Sequence, residues 1–442
     1  MTSAFAVQPF AADSCDTNRA PRPNIILIFT DDLGYGDLGC YGLTTAKTPH
    51  LDRLASEGTR FTSFYAQHLC GPSRSALLTG RYPSRSGGWD MPATEITFAE
   101  LMKKVGYATC GIGKWDVSSR KPIIERMPNA KGFDYYWGSL GANDDGRVFL
   151  WENNNALGQD QDLASLSRRY TDKSIAWIKQ HRQKSKEQPF LLYLSHTMMH
   201  TVIDASPGFK NSTGNGLYAD TLQELDHECG RLLDALDELG LRGNTLVIFT
   251  SDNGAWSNDR EHQNANNEKY VPWSEGPKMS VGSNLPLREG KASSYEGGVR
   301  VPCLVRWPGK VPPGRVDDAI FATLDFMATF ANLCDFPLPQ DRMIDGVDQA
   351  DMLFGKSEKG KRDTYFYHSG SHGVRQGEWK FLRADRKGHH KRYPKDLGTG
   401  GDELYNLDQD IGETKNLAAL RPDIVARLTT MAVSKEKSGG PK

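Results

Sequence analysis

Hydrophobic runs of strand length punctuate the chain, and several stop abruptly on polar residues. NIILIF (24–29) leads into Thr30 and Asp31, ATCGIG (108–113) into Lys114, FLLYLS (190–195) into His196, and TLVIFT (245–250) into Ser251. Unbroken apolar runs of this length read as strands covered on both faces. The segments between them have helical spacing, as in Leu51 to Glu57 and Tyr218 to Leu239, where Leu222, Leu225, Leu232, Leu233 and Leu236 share a face. The alternation predicts an α/β fold, a large and mainly parallel sheet flanked by helices, with the carboxyl ends of its strands lining a ligand crevice. Near residue 365 the pattern shortens to TYFYHSG, GVRQGEWKFLRA and DELYNL before a helical stretch around Pro422 to Val433, which predicts a small antiparallel sheet plus a helix. The expected organisation is a catalytic domain over 20–364, a C-terminal subdomain over 365–433, and tails at 1–19 and 434–442. The polar stretch from Ala255 to Leu287 is too long for an ordinary connection and reads as a substrate loop or a solvated insertion.

Composition narrows the function. The 442 residues carry 54 Lys and Arg against 55 Asp and Glu, so no global field favours nucleic acid or an anionic membrane, and any anion site must be local. No apolar stretch approaches the length of a membrane span. Cys15, Cys40, Cys70, Cys110, Cys229, Cys303 and Cys334 are scattered without a C-x-x-C pair, which argues against a disulfide framework and for small buried hydrophobes, Cys70 excepted. The first twenty residues lack an apolar core, and the small residues from Ser3 to Ala6 are read as the remnant of a removed export signal, giving a periplasmic or secreted location as the expectation.

The most specific signal is Cys70-Gly71-Pro72-Ser73-Arg74, continued by Leu78-Thr79-Gly80-Arg81. It resembles, over its whole length, the C-x-P-S-R-x-x-x-L-T-G-R signature of the type I, formylglycine-dependent sulfatases. The resemblance implies that a formylglycine-generating enzyme oxidises Cys70 to an aldehyde. Hydrated to a geminal diol, that group offers one oxygen to attack sulfur and a second whose deprotonation expels sulfate. A helix starting at Cys70 would turn its backbone N–H groups toward both anions, and Arg74, one turn on, would stabilise the ionised diol.

Two oxygen-bearing pairs, Asp31-Asp32 and Asp252-Asn253, each follow a predicted strand and can converge if those strands are neighbours. Carboxylates and a carboxamide without His make a hard site, suited to calcium, with magnesium the alternative. Position 70 would be its fifth ligand. The contexts FTDDLGYGDLG and FTSDNG also resemble the sulfatases. Lys114 in GIGKW, His200 in LSHTMMHTV and Lys291 in REGKASSYEGGVRVP complete the set, the last followed by an expected turn at Glu296-Gly297-Gly298 and a strand over Val299 to Pro302. By the resemblance, Lys114 and Lys291 bind sulfate oxygens and His200, helped by Lys291, protonates the leaving oxygen. His196 is the runner-up for that role. The chain departs from the family at Asp116, which stands where Lys-Trp is normally followed by His. Asp116 either takes the diol proton or shapes a substrate pocket while His68 or water acts as base.

The resemblance runs from Pro23 to about Leu417, closing on DELYNLDQDIGETKNLA, and implies an alkaline-phosphatase-like fold. The function expected is hydrolysis of an organic sulfate ester, on a sulfated carbohydrate if Trp89, Trp151 and the aromatic segment Trp256 to Trp273 stack on sugar rings. Hydrolysis of a phosphate diester or phosphonate, and binding of sulfated glycans without turnover, are the alternatives.

Overall fold

A computed structural model describes residues 22–256, 282–386 and 400–438. Its strands, in chain order, are β1 (Asn24–Thr30), β2 (Thr59–Phe61), β3 (Phe64–Tyr65), β4 (Ala108–Lys114), β5 (Tyr135–Ser139), β6 (Val148–Glu152), β7 (Asn155–Asp160), β8 (Phe190–Ser195), β9 (Thr245–Ser251), β10 (Cys303–Arg306), β11 (Arg315–Asp317), β12 (Phe321–Ala322), β13 (Thr364–Tyr367), β14 (Gly373–Gln376), β15 (Trp379–Leu382) and β16 (Glu403–Asn406). Ten form one sheet in the order β11-β2-β10-β9-β1-β8-β4-β5-β6-β7. β9, β1, β8, β4 and β5 run parallel, while the pairing of β10 with β9 on one flank and of β6 with both β5 and β7 on the other is antiparallel. The expected mainly parallel sheet is therefore present.

Successive side chains of the central strands enter two separate cores, as the pleat requires. Ile26 and Ile28, Leu192 and Leu194, and Val247 and Phe249 pack on one face with helices Pro49–Ser56, Leu166–Lys184 and Leu217–Glu238. Ile25, Leu27 and Phe29, Leu191 and Tyr193, and Leu246 and Ile248 pack on the other, against helices Cys70–Thr79, Phe98–Lys104 and Asp325–Cys334. The strands at the centre are apolar on both sides because both sides are covered.

β13 to β16 form the expected antiparallel sheet, and helix Pro422–Ser438 packs on β14 and β15. Two local expectations are corrected. The helix continues to Ser438, so residues 434–438 are not tail: Lys435 pairs with Asp345, Arg383 with Glu436, and Arg85 donates to the Ser438 carbonyl. The segment after Lys291 is a helical turn over Glu296–Val299, and the strand starts at Cys303, not at Val299. Pro302 has no N–H to give to a ladder, so pairing with β2 and β9 begins one residue later. Residues 1–19, most of the polar stretch 255–287 with Trp273, and Cys15 lie outside the described residues; the six described cysteines are free thiols.

A buried ionic network joins the small sheet to the segment that carries Lys291. Glu296 accepts from Tyr65, from Tyr367 Oη at 2.7 Å and from Lys380 Nζ at 3.0 Å. Lys380 also meets Glu413 at 2.7 Å, and Glu413 accepts from the Glu296 N–H at 2.7 Å. Burial would raise the Glu296 carboxyl, but Lys380 and Arg300 outweigh it and keep it ionised. Around this network Tyr65, Tyr295 and Val299 share one apolar cluster with Tyr365, Tyr367, Leu382 and Tyr405.

Candidate active site

Three strand ends and one helix start meet in the interior. Asp31 and Asp32 follow β1, Asp252 and Asn253 follow β9, Lys114 ends β4, and Cys70 is the first residue of its helix. β1 and β9 are neighbours with Thr30 opposite Ser251, so the two oxygen-bearing pairs are forced together. The Asp32 N–H donates to Asp252 Oδ1 at 3.2 Å, and Asn253 Nδ2 donates to Asp32 Oδ1 at 2.7 Å. Asp32 reaches this position with φ of 59°, a left-handed conformation that Asp tolerates better than most residues. One ligand atom each from Asp31, Asp32, Cys70 and Asp252 lie within 4.8 Å of one another, and all four residues are buried.

Cations surround this acidic centre. Lys291 Nζ lies 2.6 and 2.7 Å from the two Asp32 oxygens and 3.4 Å from Cys70 Sγ. Lys114 donates to Asp31, whose Oδ1 is 3.2 Å from Cys70 Sγ. Arg74 donates to Asp252 through Nε at 3.1 Å and Nη2 at 2.7 Å, and its other arm reaches Ser195 and the Lys114 carbonyl. Helix Cys70–Thr79 is preceded by an extended Leu69 with no side-chain cap, which leaves the positive end of the helix to the groups at Cys70.

Burial would raise the Asp31 carboxyl, but Lys114, His200 and Arg74 hold it well below the usual range. Burial together with Asp31 pushes Asp252 up to about 7. Burial, Asp252 and Asp31 drive the Cys70 thiol far above its ordinary value, so an unmodified Cys70 is a poor thiolate and a poor nucleophile here.

The donors fit a divalent ion. Three carboxylates converge beside the Cys70 side chain, and the buried Asn253 Oδ1 next to them accepts no hydrogen bond among the described residues. Asp31, Asp32, Asp252 and Asn253 are the side chains able to hold it.

His200 joins Asp31 and Cys70 in the same cluster. Its Nδ1 faces two acceptors, Asn143 Oδ1 at 3.0 Å and the Thr201 carbonyl at 2.6 Å. The orientation of the Asn143 amide is fixed because Nδ2 donates to the carbonyls of His200 at 3.0 Å and Val202 at 2.5 Å. Nδ1 must therefore carry a proton, which leaves Nε2, 3.7 Å from Asp144 and 3.9 Å from Asp32, as the exchanging atom. Burial and Lys291 lower the His200 pKa. His196 is buried elsewhere against Tyr170, with both ring nitrogens unpaired among the described residues, and burial lowers it to about 3. The ring of His68 lies on that of His368, 3.4 Å between centroids.

Asp116 sits beside Lys114, 3.5 Å from Nζ, and is paired with Arg120 Nε at 2.8 Å. Burial would raise its carboxyl, but Lys114 and Arg120 prevail and lower it, which makes it a weak proton acceptor. Trp151 stands on the antiparallel β6 and packs in part against the second core. Sequence reasoning passed over Asn143, Asp144, Ser195 and Arg120. The one signal for the first two was the polar ANDDG that follows β5, another strand running into polar residues.

Comparison with known proteins finds two family models and several relatives. The family model described as Sulfatase matches residues 23–336, and one described as N-sulphoglucosamine sulphohydrolase, C-terminal, matches residues 290–431. The steryl-sulfatase of Mus musculus is 35% identical, with 83% of this chain and 71% of that protein aligned. Among solved structures, one described under the metabolism of multiple glycosaminoglycans by Bacteroides thetaiotaomicron superposes with a TM-score of 0.79 at 28% identity, covering 94% of this chain and 99% of that one. Ps i-CgsB in complex with k-i-k-neocarrahexaose superposes at 0.76 with 27% identity, covering 95% and 93%.

Proposed function

Because the chain belongs to the sulfatase family and is thus an enzyme that hydrolyses sulfate esters, we propose that its substrate is a sulfated carbohydrate and that Cys70, once oxidised to formylglycine, supplies the attacking oxygen. The observation that carries this reading is the convergence of Cys70 with Asp31, Asp32 and Asp252 at the start of a buried helix. Two structural relatives support the carbohydrate, one described under glycosaminoglycan metabolism and one holding a neocarrahexaose.

The side chains divide the work. Asp31, Asp32, Asp252 and Asn253 would hold calcium or magnesium, which polarises the sulfate sulfur and favours the ionised nucleophile when bound. Arg74, tied to Asp252, keeps positive charge against position 70. Lys114 and Lys291 offer ammonium groups to sulfate oxygens on either side. His200 delivers a proton from Nε2 to the departing alcohol oxygen, and Asn143 holds the ring so that Nε2 is the atom presented.

His200→Ala is expected to lower kcat/KM on poor leaving groups about 10³-fold and on activated aryl sulfates less than tenfold, because a good leaving group scarcely needs protonation. Asn143→Ala should show the same pattern with smaller losses. Steady-state kinetics on an alkyl and an aryl sulfate check it; equal losses on both would assign His200 a positional role. An aryl phosphodiester in the same assay should be the poorer substrate.

A further inference from the structure

Asp116, where the chain leaves its family's pattern, is the centre of a small assembly at the edge of the catalytic cluster. Its two oxygens hold two different groups: Oδ2 accepts from the Trp89 indole N–H at 3.2 Å, and Oδ1 accepts from Arg120 Nε at 2.8 Å. Trp89 lies directly against the residue after the nucleophile, since a Cβ built on Gly71 would overlap its indole ring. Gly71 thus admits an aromatic wall that any larger residue would push away. Arg120 continues outward to Asp144 Oδ2 at 2.6 Å, and Asp144 lies 3.7 Å from His200 Nε2. Trp89 is partly exposed, and the side chains of Arg120 and Asp144 are 40% and 34% exposed. Asp116 and Arg120 hold left-handed conformations, φ 57° and 56°, which cost ~1 kcal/mol or more each unless the surroundings fix them.

From this geometry, and resting on the carbohydrate reading above, we propose that Asp116 is a positioning residue that builds a sugar-binding wall for the leaving group, with Trp89 stacking on the ring and Arg120 and Asp144 sharing its hydroxyls. A partly exposed indole beside a carboxylate and guanidinium pair suits a pyranose: the ring face packs on the aromatic, while adjacent hydroxyls accept from Arg120 and donate to Asp144. Charge sharpens the choice of sugar. Asp116 is balanced by Arg120 and by Lys114, 3.5 Å away, and Asp144 by Arg120, so the wall has no cation left without a carboxylate partner. It therefore favours a ring with free hydroxyls over one bearing a second sulfate or a carboxylate at that place. Asp116, ion-paired on one oxygen and occupied by an indole on the other, is built for this task and poorly suited to taking a proton.

The test uses enzyme whose formylglycine content is verified by mass spectrometry, assayed on a monosulfated sugar, its disulfated counterpart and an unsubstituted alkyl sulfate. Asp116→Asn places an amide N–H against one of two donors and should raise KM for the monosulfated sugar about tenfold, well beyond any change on the alkyl sulfate, with kcat within threefold. Trp89→Ala should do the same, while Trp89→Phe, which keeps a ring, should recover most of the affinity and control for folding. Wild-type enzyme should prefer the monosulfated sugar. An Asp116→Asn enzyme that loses kcat, keeps KM and accumulates sulfated protein would overturn the proposal and make Asp116 a proton acceptor. Unchanged KM in both the Asp116 and Trp89→Ala variants, or a preference for the disulfated sugar, would overturn it as well. Failure of the carbohydrate reading looks different: the wild type would turn over the alkyl sulfate and neither sugar.

Discussion

Cys70→Ala lowers sulfate ester turnover by at least ~10⁴-fold and leaves the melting transition nearly where it was, measured on identical substrates and by thermal unfolding. The reasoning joins two observations. Cys70 is the residue at which the helix start and the carboxylates converge, so no neighbouring side chain can replace it. It is also a small residue whose removal opens little space, and its raised thiol pKa means that no charge is lost. Cys70→Ser tests the chemistry separately, since it keeps an oxygen of similar size without the second hydroxyl of a hydrated aldehyde. It should transfer sulfate to itself at most once. Steady turnover by either variant would remove formylglycine from the mechanism.

Thorough chelation should cost on the order of 10³-fold in turnover, restored by calcium or magnesium, because polarising the ester is worth several kcal/mol of barrier. It should also lower the melting temperature. Asp31, Asp32 and Asp252 are crowded into one buried site, and burial and Asp31 already push Asp252 up to about 7, so a bound dication relieves repulsion that the three ammonium and guanidinium partners only balance. Asp252→Asn should abolish the calcium-dependent part of the melting shift. A melting curve indifferent to calcium, with metal analysis showing none bound, would count against the site.

Much of this site could be read in the chain because its parts sit where local rules place them. The ends of β1, β4 and β9 are marked by apolar runs breaking into polar residues, and the nucleophile helix is marked by an uninterrupted motif. The register that pairs Thr30 with Ser251, and so brings Asp31 to Asp252, depends on a long-range pairing for which local sequence carries no signal. Asn143 and Asp144 were missed for a related reason: a polar loop looks the same whether it is solvated or folded beneath a histidine. His196 and His200 stand four residues apart, and only the path of the chain after β8 sends one into the core and the other to Cys70. The strand that the resemblance implied at Val299 gives way to the helical turn over Glu296–Val299, and pairing begins only at Cys303, past Pro302.

Glu296 lies five residues beyond Lys291 and spends its charge on Lys380, a residue of the small sheet. That contact makes the C-terminal subdomain a tenant with a hand on the segment that carries Lys291. Deleting it would take Lys380 and Tyr367 from Glu296 and leave Arg300 and Tyr65 as its partners, a loss whose upper bound is the roughly 3–5 kcal/mol of breaking a buried pair from one side. The compositional border near residue 365 is therefore no seam along which the molecule can be cut. Heat should melt both sheets in one step.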